Sequence, residues 1–173
     1  MNFDQYKELG GVPGLCEFSD TLEDLTTLQV LDLCFTSSNI ENSGDIRLSS
    51  SLRKLVNLRS FSLDFGLYRI VPSELLAELA NSLKYLVQLR KLKLRFHPPM
   101  GSNLDLAKVG ESLSHLENLE WLTLNCFGLK SHGSALRSIC EGLKSTKIRF
   151  LDLNISQCIN LCEEALQILR DGL

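Results

Sequence analysis

Residues 116–124 read LENLEWLTL, and the same arrangement stands at LTTLQVLDL from Leu25, LVNLRSFSL from Leu55 and LVQLRKLKL from Leu86. A fifth copy, TKIRFLDL from Thr146, is shorter at its start. With Leu28, Leu58, Leu89, Leu119 and Ile148 as equivalents, the successive spacings are 30, 31, 30 and 29 residues. A constant period of that length marks a repeat architecture. Each copy carries L-x-x-L-x-L, with Phe61 in place of the middle leucine once. The terminal x-L-x-L alternates as a short strand with one buried face does. Strands are therefore predicted near residues 28–33, 58–63, 89–94, 119–124 and 148–153.

Between them the apolar period lengthens from two to between three and four. Leu75, Leu76, Leu79, Leu83 and Leu86 follow Pro72-Ser73, which lays one apolar stripe along a helix after a proline suited to its first turn. Equivalent stripes are Leu106, Val109, Leu113 and Leu116; Leu136, Ile139, Cys140 and Leu143; and Leu166, Ile168, Leu169 and Leu173. Asn160 followed by Glu163 resembles a capping box that starts the last of these. Residues 34–54 carry a sparser stripe, Ile46, Leu48, Leu52 and Leu55 among many serines. One strand-helix unit cannot bury its apolar face alone, and only stacked neighbours complete a core.

L-x-x-L-x-L every 29–31 residues, each followed by a helix, resembles the leucine-rich repeats, and the length and helical return resemble their ribonuclease-inhibitor-like subclass. The pattern is best matched in LENLEWLTLNCFGLKSHGSALRSI, at Leu119, Leu122, Leu124, Leu129 and Gly133, and the resemblance covers about residues 22–173. It implies an α/β solenoid: a curved parallel sheet on the concave side, helices on the convex side. The family usually has Asn or Cys at the ninth place of each unit, where this chain has Thr36, Gly66, His97, Phe127 and Ser156. Those turns must therefore differ, and Pro98-Pro99 implies an extended loop. Residues 1–24, with Phe3, Tyr6, Leu9, Leu15, Phe18 and Leu22, are assigned as an N-terminal capping segment of irregular path around Gly10, Gly11 and Gly14, ahead of a repeat domain over residues 25–173. The last apolar helix, near Leu173, has no polar cap of the kind that exposed solenoid ends require, so a further piece of chain, a packed partner subunit or a tolerated exposed end are the readings there.

Composition agrees. Of 173 residues 37 are leucine, whereas the apolar and charged fractions, 44% and 23%, are those of an ordinary globular chain. Eighteen basic against 21 acidic side chains leave a net charge of −3, which supplies no global attraction to nucleic acid or anionic membrane. No apolar run is long enough to span a bilayer as a helix. MNFDQYKELGG lacks a signal peptide's basic and apolar regions, so the cytoplasm is the default compartment. The six cysteines, Cys16, Cys34, Cys126, Cys140, Cys158 and Cys162, are accordingly read as reduced, with no zinc-site spacing among them and no metal or other cofactor expected.

No P-loop, G-x-G-x-x-G, H-E-x-x-H or G-x-S-x-G is present, and His97, His115 and His132 stand in no repeated relation to a nucleophile or carboxylate. The chain is expected not to be an enzyme. A GTPase activator of related repeat architecture, using a loop arginine such as Arg69, is a distant reading that a turnover assay tests.

The strand residues opposite the buried leucines are more informative, because alternation puts them on the open face. Strand by strand they are Val30, Asp32 and Cys34; Ser60, Ser62 and Asp64; Lys91, Lys93 and Arg95; Trp121, Thr123 and Asn125; Phe150, Asp152 and Asn154. Lys91, Lys93 and Arg95 occupy the centre, with Arg59, Arg90 and Arg149 just before the face and Trp121 and Phe150 beside it. Exposed aromatics next to clustered Arg and Lys have the composition of a protein-binding hot spot, suited to an acidic, partly apolar peptide surface. Two other readings stay open: Arg95 and Lys93 neutralising Asp64 on the neighbouring strand, and single-stranded nucleic acid, for which three central bases make a poor track. The function expected is a non-enzymatic protein-interaction or scaffold module, a subunit of a larger assembly, binding through the concave face or the C-terminal end. Its alternative is the recognition segment of a longer regulatory protein of receptor or ubiquitin-ligase adaptor type.

Overall fold

The computed structural model describes residues 13–34, 44–67, 73–97, 106–125 and 133–156, with Gln167 and Arg170, both helical. The element order is α1 (Pro13–Asp24), β1 (Val30–Cys34), α2 (Gly44–Leu52), β2 (Ser60–Leu67), α3 (Ser73–Leu83), β3 (Lys91–His97), α4 (Ala107–Leu113), β4 (Trp121–Asn125), α5 (Gly133–Leu143) and β5 (Phe150–Asn154). The strands form one parallel sheet in the order β1-β2-β3-β4-β5, and successive helices pack on one another. This is the α/β leucine-rich-repeat solenoid, sheet concave and helices convex.

How leucine spacing produces the unit is visible at each descent from helix to strand. Leu55 N–H bonds the Leu52 carbonyl and Leu58 N–H the Leu55 carbonyl; the same three-residue steps run Leu83-Leu86-Leu89 and Leu113-Leu116-Leu119. Three residues per turn keeps i and i+3 on one face, so all nine of these leucines are buried. The period then shortens to two, and the strands send Leu31 and Leu33; Phe61, Leu63 and Phe65; Leu92, Leu94 and Phe96; Leu122 and Leu124 into the core. Phe65 and Phe96 stack there with centroids 5.6 Å apart. Regular strand pairing begins two residues after Leu28, Leu58, Leu89, Leu119 and Ile148, and at the four leucines the last of the tight turns still occupies the position.

The convex helices are joined by a column of serines. The Ser51 hydroxyl is 2.8 Å from the Ser19 carbonyl of the preceding helix, Ser82 Oγ 2.7 Å from the Ser49 carbonyl, and Ser112 Oγ 2.7 Å from the Ala80 carbonyl. Each hydroxyl shares its proton with the carbonyl four residues back in its own helix, at 2.8–2.9 Å. One repeat further on the column reaches Gly142, which packs directly on the Gly110 carbonyl. Ser82→Ala is expected to cost about 1 kcal/mol and lower the melting temperature by about 2–4 °C, the loss of one buried hydrogen bond; an unchanged melting curve would remove the serine column as a stabilising device.

One feature differs from the sequence expectation, and the strand-exit turns depart from the family pattern as expected. Residues 13–24, read as part of an irregular segment, form helix α1, in spite of Gly14 and poor intrinsic helix formers, because it packs along α2 with Leu22 buried in the core and Ser51 Oγ donating to the Ser19 carbonyl. At the strand exits, carboxylate and amide side chains two places earlier do the capping: Asp64 Oδ1 accepts the Gly66 N–H at 2.8 Å, and Asn154 Oδ1 accepts the Ser156 N–H at 3.0 Å. Gly66 takes φ 71°, the left-handed conformation glycine adopts without penalty. Cys140 is buried core filler in α5; desolvation, then Glu141, push its thiol above the ordinary value against the smaller opposing effect of Lys144. No helix among the described residues is long and apolar enough to cross a membrane. The Asn160–Glu163 capping box, Thr36, Phe127, Pro98-Pro99, Arg69, the first twelve residues, Cys126, Cys158, Cys162 and the end near Leu173 lie outside the described residues.

Candidate protein-interaction face

In-register parallel pairing turns the outward strand positions into three rows across the sheet. The first is Val30, Ser60, Lys91, Trp121 and Phe150; the second Asp32, Ser62, Lys93, Thr123 and Asp152; the third Cys34, Asp64, Arg95, Asn125 and Asn154. Just upstream, at the strand starts, lies a line of Gln29, Arg59, Arg90, Glu120 and Arg149, each joined to the next by a backbone bond from N–H to carbonyl.

The first row holds the aromatics. The Trp121 and Phe150 rings stack with centroids 3.7 Å apart at 22°, and Lys91 Nζ lies 4.7 Å from the centroid of the indole. Trp121 is 38% exposed, Phe150 41% and Val30, at the opposite end of the row, 63%. The indole N–H donates to Thr123 Oγ1 at 3.3 Å, which leaves the ring standing on the sheet with its orientation set. Thr123, which alternation puts on the open face, is covered by this arrangement and is 9% exposed. Its partner could have been anticipated from the i, i+2 relation to Trp121; the degree of cover could not.

The cations divide into two groups. Arg95 and Asp64 form an ion pair at 3.7 Å, and Asp64 also caps Gly66, so the third row is electrically closed at its centre. Lys93 stands between Ser62 and Thr123 in a row whose ends are Asp32 and Asp152. At the strand starts Arg90 approaches Glu120 at 3.8 Å with its side chain 64% exposed, a geometry that contributes little stability. Among the described residues neither Arg59 nor Arg149 is in an ion pair, and both are exposed. Lys91, Arg90, Trp121 and Phe150 are thus brought together, with Arg59 and Arg149 to either side, whereas Arg95 is turned to a pairing within the face. Among the described residues no three His, Cys, Asp or Glu side chains are grouped to hold a metal ion.

No protein-family model matches the chain, and no curated protein does. Among solved structures, actin-binding site 2 of leiomodin-1 matches with a TM-score of 0.60 at 13% identity, over 91% of this chain and 86% of that one. A leucine-rich-repeat protein of Leptospira interrogans matches at 17% identity over 85% of this chain and 54% of that one, but its TM-score of 0.24 is too low to carry an argument. The first likeness establishes a shared fold.

Proposed function

We propose that this chain is a non-enzymatic protein-interaction module that holds a partner on the concave face of its solenoid. The observation that carries the reading is the exposed Trp121–Phe150 stack, set on a hydrogen-bonded sheet beside Lys91 and the strand-start arginines. Large apolar area that is already ordered binds at low entropic cost, and aromatic and Arg side chains dominate truncation energies at protein interfaces. The partner surface suited to it is acidic and partly apolar. Residues 1–24 serve as the N-terminal cap of a repeat domain over 25–173, a division supported by the packing of α1 along α2. The repeats belong with the ribonuclease-inhibitor-like subclass, a reading supported by their length and helical return.

In this reading the chain acts in the cytoplasm as a subunit of a larger assembly; the recognition segment of a longer regulatory protein is the alternative. The match to an actin-binding segment makes actin the first candidate partner to try, by co-sedimentation with filaments. The deciding experiment is affinity capture by the tagged chain beside the double variant Arg90→Glu, Lys91→Glu, which reverses the two cations of β3 and its start nearest the aromatic stack. Capture is expected to be lost while the melting temperature stays within about 3 °C, since exposed charges carry little stability. A partner held equally by both proteins would refute the concave-face reading.

A further inference from the structure

Charge and aromaticity are unevenly divided between the two halves of the concave face. The strand-start line carries three arginines against one glutamate, and the row beside it adds Lys91, Trp121 and Phe150. The downstream half carries Lys93 and Arg95 against Asp32, Asp64 and Asp152, with Arg95 already paired to Asp64. A carboxylate approaching the upstream half meets net attraction and apolar surface together; one approaching the downstream half meets neither.

From this segregation we infer that the binding strip is the upstream half alone, and that its occupant is an extended, carboxylate-bearing segment of a partner protein running across the strands. This deepens the interaction reading above and rests on it. Charge complementarity selects the occupant: Arg59, Arg90, Lys91 and Arg149 for carboxylates, Phe150 and Val30 for apolar side chains. Five strands about 4.8 Å apart make a strip about 19 Å long, the length of about six extended residues. In an extended segment alternate side chains face the same way, so acidic and apolar residues in alternation place one kind against the arginine line and the other against the aromatic row. Glu120 interrupts the arginine line, 3.8 Å from Arg90, so it repels carboxylates and phosphates alike and the place opposite it suits an uncharged residue of the segment.

Trp121 is the chain's one tryptophan, so its emission reports occupancy of the strip directly. The probes are a blocked eight-residue peptide alternating Glu and Leu, the matching Lys-Leu peptide and ten-residue oligothymidylate, titrated into the full chain. The variants are Arg59→Glu with Arg149→Glu, and Lys93→Glu with Arg95→Glu; they change net charge equally, so any difference between them comes from position. Their folding is verified by thermal melts. The Glu-Leu peptide is expected to give a saturable emission change, the Lys-Leu peptide none, and the dissociation constant to rise at least tenfold in the upstream variant and less than threefold in the downstream one. Equal weakening in both variants would overturn the half-face assignment and leave the concave-face reading standing. A response no stronger to Glu-Leu than to Lys-Leu, or stronger to oligothymidylate, would overturn the acidic-peptide assignment. Failure of the interaction reading itself would show separately, as native partner capture indifferent to the central charge reversals.

Discussion

Trp121→Ala is expected to weaken partner binding by about thirty- to a thousandfold, about 2–4 kcal/mol, while the fold melts within a few degrees of the wild type. The effect is large because the indole supports both its neighbours. Lys91 lies over the ring on one side and Phe150 stacks at 3.7 Å on the other, so truncation removes the anchor and leaves both adjoining side chains without backing. The cost to the fold is small because Trp121 faces outward and 38% of its surface remains in water. Titration calorimetry with the captured partner measures the first quantity and a thermal melt the second. A loss of less than threefold would mean that the stack is a surface ornament, and Phe150→Ala would then be equally silent.

Gly142→Ala is expected to destabilise the chain by about 2–3 kcal/mol, lowering its melting temperature by about 5–10 °C. Alanine would ordinarily gain about 0.5–1 kcal/mol over glycine inside a helix. Here a Cβ on Gly142 would stand 2.1 Å from the Gly110 carbonyl oxygen and 3.0 Å from Leu113 Cβ, and a Cβ on Gly110 would stand 2.4 Å from the Ser138 carbonyl carbon and 2.5 Å from the Ile139 nitrogen. The nearest obstacles are backbone, which no rotamer change can move, so α4 and α5 must separate. A Gly142→Ala protein that melts at or above the wild-type temperature would show that the two helices are not held this closely in solution.

Much of this architecture is written in spacing that a single chain displays openly. Leucines at every third residue through the descending turns and every second along the strands imply the stack, and alternation alone assigns Lys91, Trp121 and Phe150 to one row once the copies are aligned. What spacing does not display is anything set by the distance between repeats. The hydroxyls of Ser51, Ser82 and Ser112 read in isolation as weak helix residues, because their acceptors lie 32 or 33 residues earlier, on another helix. Helix α1 is similarly hidden, since its own residues favour helix weakly and α2 supplies the difference. On the candidate face the neutralisation of Asp64 was legible as one of two competing readings, and the geometry assigns it to Arg95. That the aromatic groups share the upstream half with Arg59, Lys91 and Arg149, three of the face's four cations outside ion pairs among the described residues, leaving only Lys93 downstream, was not, because it depends on which cations are consumed by pairing.

The passage from serine to glycine along the helix column also bears on the shape of the binding face. Strand spacing is held constant by backbone hydrogen bonds, so the bend from one repeat to the next is governed by how far apart the helices stand. Between α1 and α4 a hydroxyl fills the gap at each step; between α4 and α5 Gly142 rests on the Gly110 backbone with nothing interposed. Closer helices call for less bend between repeats, so the close approach of α4 and α5 favours a flatter floor behind β4 and β5, the strands that carry Trp121 and Phe150. A flat floor lets two rings stand parallel instead of splaying apart, so the curvature of the convex side prepares the stack on the concave one.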